Sequence, residues 1–172
     1  MSRIVVTPLS AVTDVIRLHR PSHVVTLLSP EHMIETPAGF PADRHLRLGI
    51  NDVIDVVAGE SPPERFHVEA LLDFSRNWSG TDPMLVHCWA GVSRSMAATY
   101  AILCDRLGPG CEIRMAQAIR ERAPHAYPNA LLVRYADELL DRQGRMVDAI
   151  KSIGAGTMVA EGAIVEFPLR EL

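Results

Sequence analysis

The chain has 172 residues, 48% of them hydrophobic, which suits one globular domain with a sizeable core and is cramped for two. Its net charge is −4 with a pI near 6.0, Lys151 is its single lysine, and neither a basic run nor aromatics interleaved with arginine appear, so nucleic acid is not an expected ligand. No apolar stretch has the length of a membrane span, no secretory leader pattern opens the chain, and three cysteines do not make a disulfide framework, so a soluble cytoplasmic protein in a reducing compartment is expected.

In chain order, the β-branched run Ile4 to Thr7 reads as a strand, and Ser10 to His19, with apolar Val12, Val15, Ile16 and Leu18, as a helix. His23 to Leu28, H-V-V-T-L-L between Pro21 and Pro30, is the continuous apolar run of a central strand covered on both faces. Residues 29–43 hold three prolines, one glycine and no periodicity, and read as a loop. Arg44 to Gly49 alternates polar and apolar, as a strand with one wetter face does.

Ser61-Pro62-Pro63-Glu64 has the pattern of a capping box with proline at the first helical position. Phe66, Ala70, Leu71, Phe74 and Trp78 follow at helical spacing and are expected in the core. Met84-Leu85-Val86 is a short apolar strand that stops at His87-Cys88. Ser95 to Leu107 is a small-residue helix ended by Gly108-Pro109-Gly110, and Glu112 to Arg122 is another, with Ile113, Ala116 and Ile119 on one side.

Asn129 is a good N-cap for a helix with Leu132, Tyr135, Ala136, Leu139 and Leu140 as its buried stripe, and Met146 to Ile153 extends the helical region. Gly154-Ala155-Gly156 reads as a hinge, and Thr157 to Phe167 as a β-hairpin or an edge strand. The expected organisation is a domain over 1–153 and a C-terminal extension over 154–172, packed on that domain. The expected fold is α/β in three layers, a central mostly parallel sheet of about four to five strands flanked by helices.

The stretch from Met84 to Tyr100 is strand, tight loop, helix, and it carries the chemistry. Successive N–H groups of a tight loop form a nest for anions, and a helix N-terminus adds about half a positive charge. The same field favours the thiolate of Cys88, and the thiolate is the form that attacks. Arg94 offers a planar fork of donors suited to two oxygens of one phosphoryl group. Gly91 permits positive φ where the loop must turn, and Ser95 can direct its hydroxyl at the Cys88 sulfur. A merely structural cysteine would not require Gly91, Arg94 and Ser95 in register with it.

The segment V-H-C-W-A-G-V-S-R-S at 86–95 resembles the signature of cysteine-dependent protein tyrosine phosphatases: His-Cys, five residues, then Arg and Ser or Thr. Its wording is most similar to the compact dual-specificity branch. The resemblance covers roughly residues 4–142. It implies a dual-specificity phosphatase-like fold and a two-step phosphomonoester hydrolysis through a cysteinyl phosphate. Cys88 would be the nucleophile, Arg94 the phosphate clamp and Ser95 the group that steadies the leaving thiolate. Phosphate would be held by the loop from Trp89 through Ala90, Gly91, Val92 and Ser93 to Arg94, with His87 in support, and no cofactor or metal would take part.

In that family an aspartate some thirty-odd residues before the cysteine, just after a strand, is the general acid and base. Asp52, 36 residues before Cys88 in the context R-L-G-I-N-D, matches it, and Asp55 is its rival. Asp52 could instead be a turn or N-cap residue opening a short helix over 53–58. No Trp-Pro-Asp tripeptide is present. The segment R-E-R-A-P-H-A-Y-P-N at 120–129 resembles the family's R-x-R-P…P-N segment, which implies that Asn129 helps hold the loop, although capping alone accounts for it.

The resemblance implies a phosphorylated protein or a small phosphomonoester as the substrate. None of Trp89, Ala90, Val92 and Ser93 is basic, which disfavours a polyphosphate headgroup, and Trp89 either stacks on a substrate ring or packs on the 29–43 loop. Two other classes remain open. One is a pseudophosphatase that binds phosphorylated partners without turnover. The other is a rhodanese-like or arsenate-reductase-like cysteine enzyme, the latter needing Cys104 or Cys111 as partner. No metal-ligand spacing occurs among the seven histidines.

Overall fold

The computed structural model describes residues 2–55 and 57–172. Five strands form one sheet: β1 (Arg3–Pro8), β2 (His23–Leu28), β3 (His45–Gly49), β4 (Met84–Cys88) and β5 (Val165–Pro168). Their order is β3-β2-β4-β1-β5, with β1 to β4 mutually parallel and β5 antiparallel to β1. β4 inserts between β1 and β2, so its carboxyl end, where Cys88 lies opposite Pro8, opens where the strand order reverses. Crevices at such points are where α/β sheets bind ligands.

The period of two along each strand sorts its side chains between two helical layers. Val5, Val24 and Leu85 pack with Val12 and Val15 of α1 (Val12–His19) on one face. Ile4, Val6, Val25, Leu27, Met84, Val86 and Cys88 share the opposite face with the larger layer. That layer comprises α2 (Arg65–Arg76), α3 (Arg94–Leu107), α4 (Glu112–Arg122), α5 (Ala130–Leu139) and α6 (Arg145–Ser152). Ala97, Ala98 and Ala101 of α3 are buried, which lets this helix approach the sheet closely. A buried ion pair, Arg142 to Glu112 at 3.3 Å, ties the α5–α6 turn to the start of α4. No helix among the described residues is long and apolar enough to cross a membrane.

Several local expectations need correction. The N-cap of α2 is Glu64, not Ser61: Glu64 and His67 make the reciprocal capping bonds, while the Ser61 N–H donates to Asn51 Oδ1 at 2.8 Å. Pro63 has no N–H to offer a Ser61 cap, and the next N–H, that of Glu64, donates to His67 Nδ1 at 3.0 Å. Phe66 (56% exposed) and Ile113 (46%) lie on the solvent sides of their helices, and Leu72 and Met115 join the expected Leu71 and Ile119 in the core. Residues 157–167 are no hairpin. Only Val165–Pro168 is strand, pairing with β1 and burying Phe167. Asp52 opens no helix at Val53–Asp55, which is irregular, and position 56 of that expected helix lies outside the described residues.

Buried histidines give the fold a predictable response to acid. His87 is fully buried, with Nε2 2.7 Å from Thr26 Oγ1, and burial pushes its pKa down to about 4. Burial also lowers the pKa values of His23, His45, His67 and His125. Between pH 6.5 and 4 the unfolded chain therefore binds more protons than the folded one, so stability falls as pH falls. His87 alone should remove about 2 kcal/mol between pH 7 and pH 5. Urea unfolding at the two pH values measures this, and equal stabilities would show that these imidazoles are not held neutral.

Candidate active site

The signature segment connects the end of β4 to the first turn of α3, with Ser93 as N-cap. Its carbonyls are engaged from outside by three separate parts of the chain, residue 9, residue 162 and the 127–129 segment, with the first turn of α3 adding one bond. The Leu9 N–H donates to Trp89 O (3.0 Å), Gly162 N–H to Ala90 O (2.8 Å), Tyr127 N–H to Val92 O (2.9 Å), and Asn129 and Ala97 N–H to Ser93 O (3.3 and 2.9 Å). In a planar trans peptide the N–H points opposite the C=O. Tying these carbonyls outward therefore turns the N–H groups of residues 90, 91, 93 and 94 inward, as an anion nest requires.

Gly91 sits at φ +71°, and a Cβ there would lie 2.9 Å from Pro8 N and 3.0 Å from Thr7 C. Both the backbone conformation and the close approach of β1 exclude a side chain.

Cys88 is 2% exposed, with its sulfur 3.2 Å from Ser95 Oγ, the geometry in which a hydroxyl can steady a thiolate. Arg94 is also buried, and its Nη1 donates to Ile50 O at 2.8 Å. Its Nε is buried with no partner among the described residues. A buried donor without an acceptor is costly, and at this position an anionic oxygen in the loop would satisfy it. Sequence reasoning placed the guanidinium; only the fold reveals that Ile50, at the exit of β3, aims it.

Asp52 follows that same exit. Its Oδ1 accepts from Ser93 Oγ (2.7 Å) and from Asn129 Nδ2 (2.9 Å), so the carboxylate is fastened to the rim of the signature loop. Both bonds fall on Oδ1. Asp55 lines a different cleft, with Pro62, Pro63, Glu64 and Arg134. Asn129 does two jobs. Its Oδ1 caps α5 by accepting from the Leu131 and Leu132 N–H groups, and its Nδ2 donates to Asp52 and to Val53 O.

Trp89 packs edge-on against His32 of the 29–43 loop, ring centroids 5.1 Å apart, and remains half-exposed at the rim. Its role is thus at least partly in packing.

Two contributors escaped sequence reasoning. His125 is buried beside Gly91 and Gly162, and Gly162 itself holds the Ala90 carbonyl. The only available signal was a glycine in a tail without periodicity. Among the described residues no group of three or more His, Cys, Asp or Glu could hold a metal ion. Cys104 and Cys111 are free, buried and close to each other, Cys111 Sγ lying 4.0 Å from Cys104 O. Cys104 is ten residues beyond Arg94 along α3, about 15 Å by helical rise.

No family model and no curated protein matches this chain. Solved structures do. DUSP15 is similar at 21% identity over 89% of this chain and 91% of that one, with a TM-score of 0.59. The Yvh1 phosphatase domain from Chaetomium thermophilum shares 23% identity over 83% and 93%, also at 0.59. PTPMT1, solved in complex with PI(5)P, shares 19% over 87% and 91%, at 0.57. The fold is dual-specificity phosphatase-like, an α/β sheet mostly parallel with one antiparallel pair.

Proposed function

We propose that the chain is a cysteine-dependent phosphomonoester hydrolase of the protein tyrosine and dual-specificity type. The observation that carries this reading is the loop whose carbonyls are tied outward around a buried Cys88 sulfur, with Ser95 beside it and an unpartnered Arg94 Nε. The Cys88 thiolate attacks phosphorus while the P–O bond to the alcohol or phenol breaks, and Asp52 gives that oxygen its proton. Asp52, now a carboxylate, takes a proton from water as the water attacks phosphorus. Inorganic phosphate leaves, and Ser95 steadies the released thiolate. Loop N–H groups and Arg94 hold the equatorial oxygens throughout.

The substrate is a phosphorylated protein or a small phosphomonoester, and a thiolate enzyme with two further free cysteines fits a reducing compartment such as the cytoplasm. An arsenate-reductase-like role is disfavoured by the distance along α3 that separates Cys104 from the loop.

Acid quenching during turnover of p-nitrophenyl phosphate should leave a phosphate adduct on the Cys88 peptide, detected by mass spectrometry. Steady turnover with the adduct on another residue, or with none at all, overturns the mechanism.

A further inference from the structure

The segment from Gly154 to Ile164 belongs to no helix or strand, yet it is bound along its length. Arg120 Nη2 donates to Gly154 O (2.8 Å), Thr157 N–H to Pro124 O (2.8 Å) and Gly162 N–H to Ala90 O (2.8 Å), and Ser10 Oγ bonds the Glu161 carboxylate. Its glycines lie where side chains cannot. A Cβ on Gly156 would come within 2.8 Å of the His125 carbonyl carbon, and one on Gly162 would run into the His125 ring. The segment is a strap pinned across the 123–129 loop and onto the signature loop, and its fixed course determines where Met158 and Val159 stand.

They stand at the active site. Met158 is 98% exposed, Val159 39%, and across from them Ile54 and Tyr127 are each 60% exposed. All four line one cleft of about 600 Å³, which also includes Asp52, Val92 and Ser93 and is therefore continuous with the phosphate loop. Exposed apolar side chains converging on one concavity mark a binding surface. No Lys or Arg lines it, so an acidic group entering it would find no cation to pair with.

We propose that the strap is the specificity wall of this site, and that the cleft receives an apolar side chain flanking the phosphorylated residue of a phosphopeptide, with Met158 as its main contact. The inference rests on the phosphatase reading only in placing the phosphate in the signature loop. Charge selects the occupant: an acidic flank would be desolvated against apolar side chains with no cation to pair with, whereas an apolar one would not. A flexible thioether adapts its shape to different apolar groups.

The test uses the full chain with Cys88→Ser and fluorescence anisotropy with two labelled phosphotyrosyl peptides that differ only in carrying Leu or Glu beside the phosphotyrosine. The Leu peptide should bind about tenfold tighter than both the Glu peptide and its own unphosphorylated form. Adding Met158→Ser, an exchange at an exposed position, should cut the preference for Leu over Glu to about twofold or less. Equal affinity for the two phosphopeptides, a preference untouched by Met158→Ser, or tighter binding of a soluble short-chain phosphoinositide than of the Leu peptide would overturn the proposal. The phosphatase reading fails separately. A preserved Leu preference with no phosphate release by the unsubstituted chain refutes hydrolysis and keeps the wall. Normal turnover of p-nitrophenyl phosphate with no Leu preference refutes the wall and keeps hydrolysis.

Discussion

Cys88→Ser is expected to lower kcat for p-nitrophenyl phosphate by about 10⁴-fold or more, measured in the presence of a chelator. The reason is local. A serine hydroxyl has no accessible anion near neutral pH and is a far weaker nucleophile than the sulfur it replaces. The cradle itself is backbone, held by Leu9, Gly162, Tyr127 and Asn129, so the variant should still bind tungstate, as calorimetry would register. Wild-type rates in Cys88→Ser would remove the cysteine from the mechanism, and loss of tungstate binding together with activity would mean the loop had collapsed rather than lost its nucleophile.

Asp52→Asn should cost about 10²-fold or more in kcat on an alkyl phosphate, whose leaving oxygen needs a proton. The loss should be smaller on p-nitrophenyl phosphate, whose phenolate leaves without one. The hydrogen bonds from Ser93 and Asn129 to Oδ1 can still be made by the amide oxygen of asparagine, so the position of the side chain is kept while its acid–base capacity is removed. Asp55→Asn should stay near wild type, because Asp55 lines another cleft. A larger loss in Asp55→Asn than in Asp52→Asn would transfer the role, and equal losses on both leaving groups would mean that Asp52 does not protonate the leaving oxygen in the limiting step.

Much of the fold was legible because its signals are short-ranged. The continuous apolar run at His23–Leu28 predicts a two-faced central strand, and β2 is one, with five of its six residues buried. Asn129 as N-cap is legible from residue type and position alone, and its side chain caps α5 as expected. The errors came where local patterns compete. Ser61 and Glu64 both suit a helix start, and the prolines between them decided for Glu64. The tail reads as a β-hairpin or an edge strand, yet only Val165–Pro168 pairs with β1, because the residues before it are held at the signature loop and the 123–129 loop instead.

What the sequence by itself determined is the loop proposed as the phosphate cradle. Its requirements, a thiol, a turning glycine and an arginine at a helix start, all fall within seven residues, Cys88 to Arg94, and are satisfied by backbone geometry close in the chain. Tertiary structure decided which carboxylate meets that cradle. The bonds from Ser93 and Asn129 to Asp52 join residues 41 and 77 positions apart, and no periodicity or spacing encodes such contacts. It also decided that a tail without periodicity becomes a wall of the cleft. That outcome depends on glycines at 156 and 162 fitting against His125 and its neighbours, a fit of surfaces that exists only once the chain has folded.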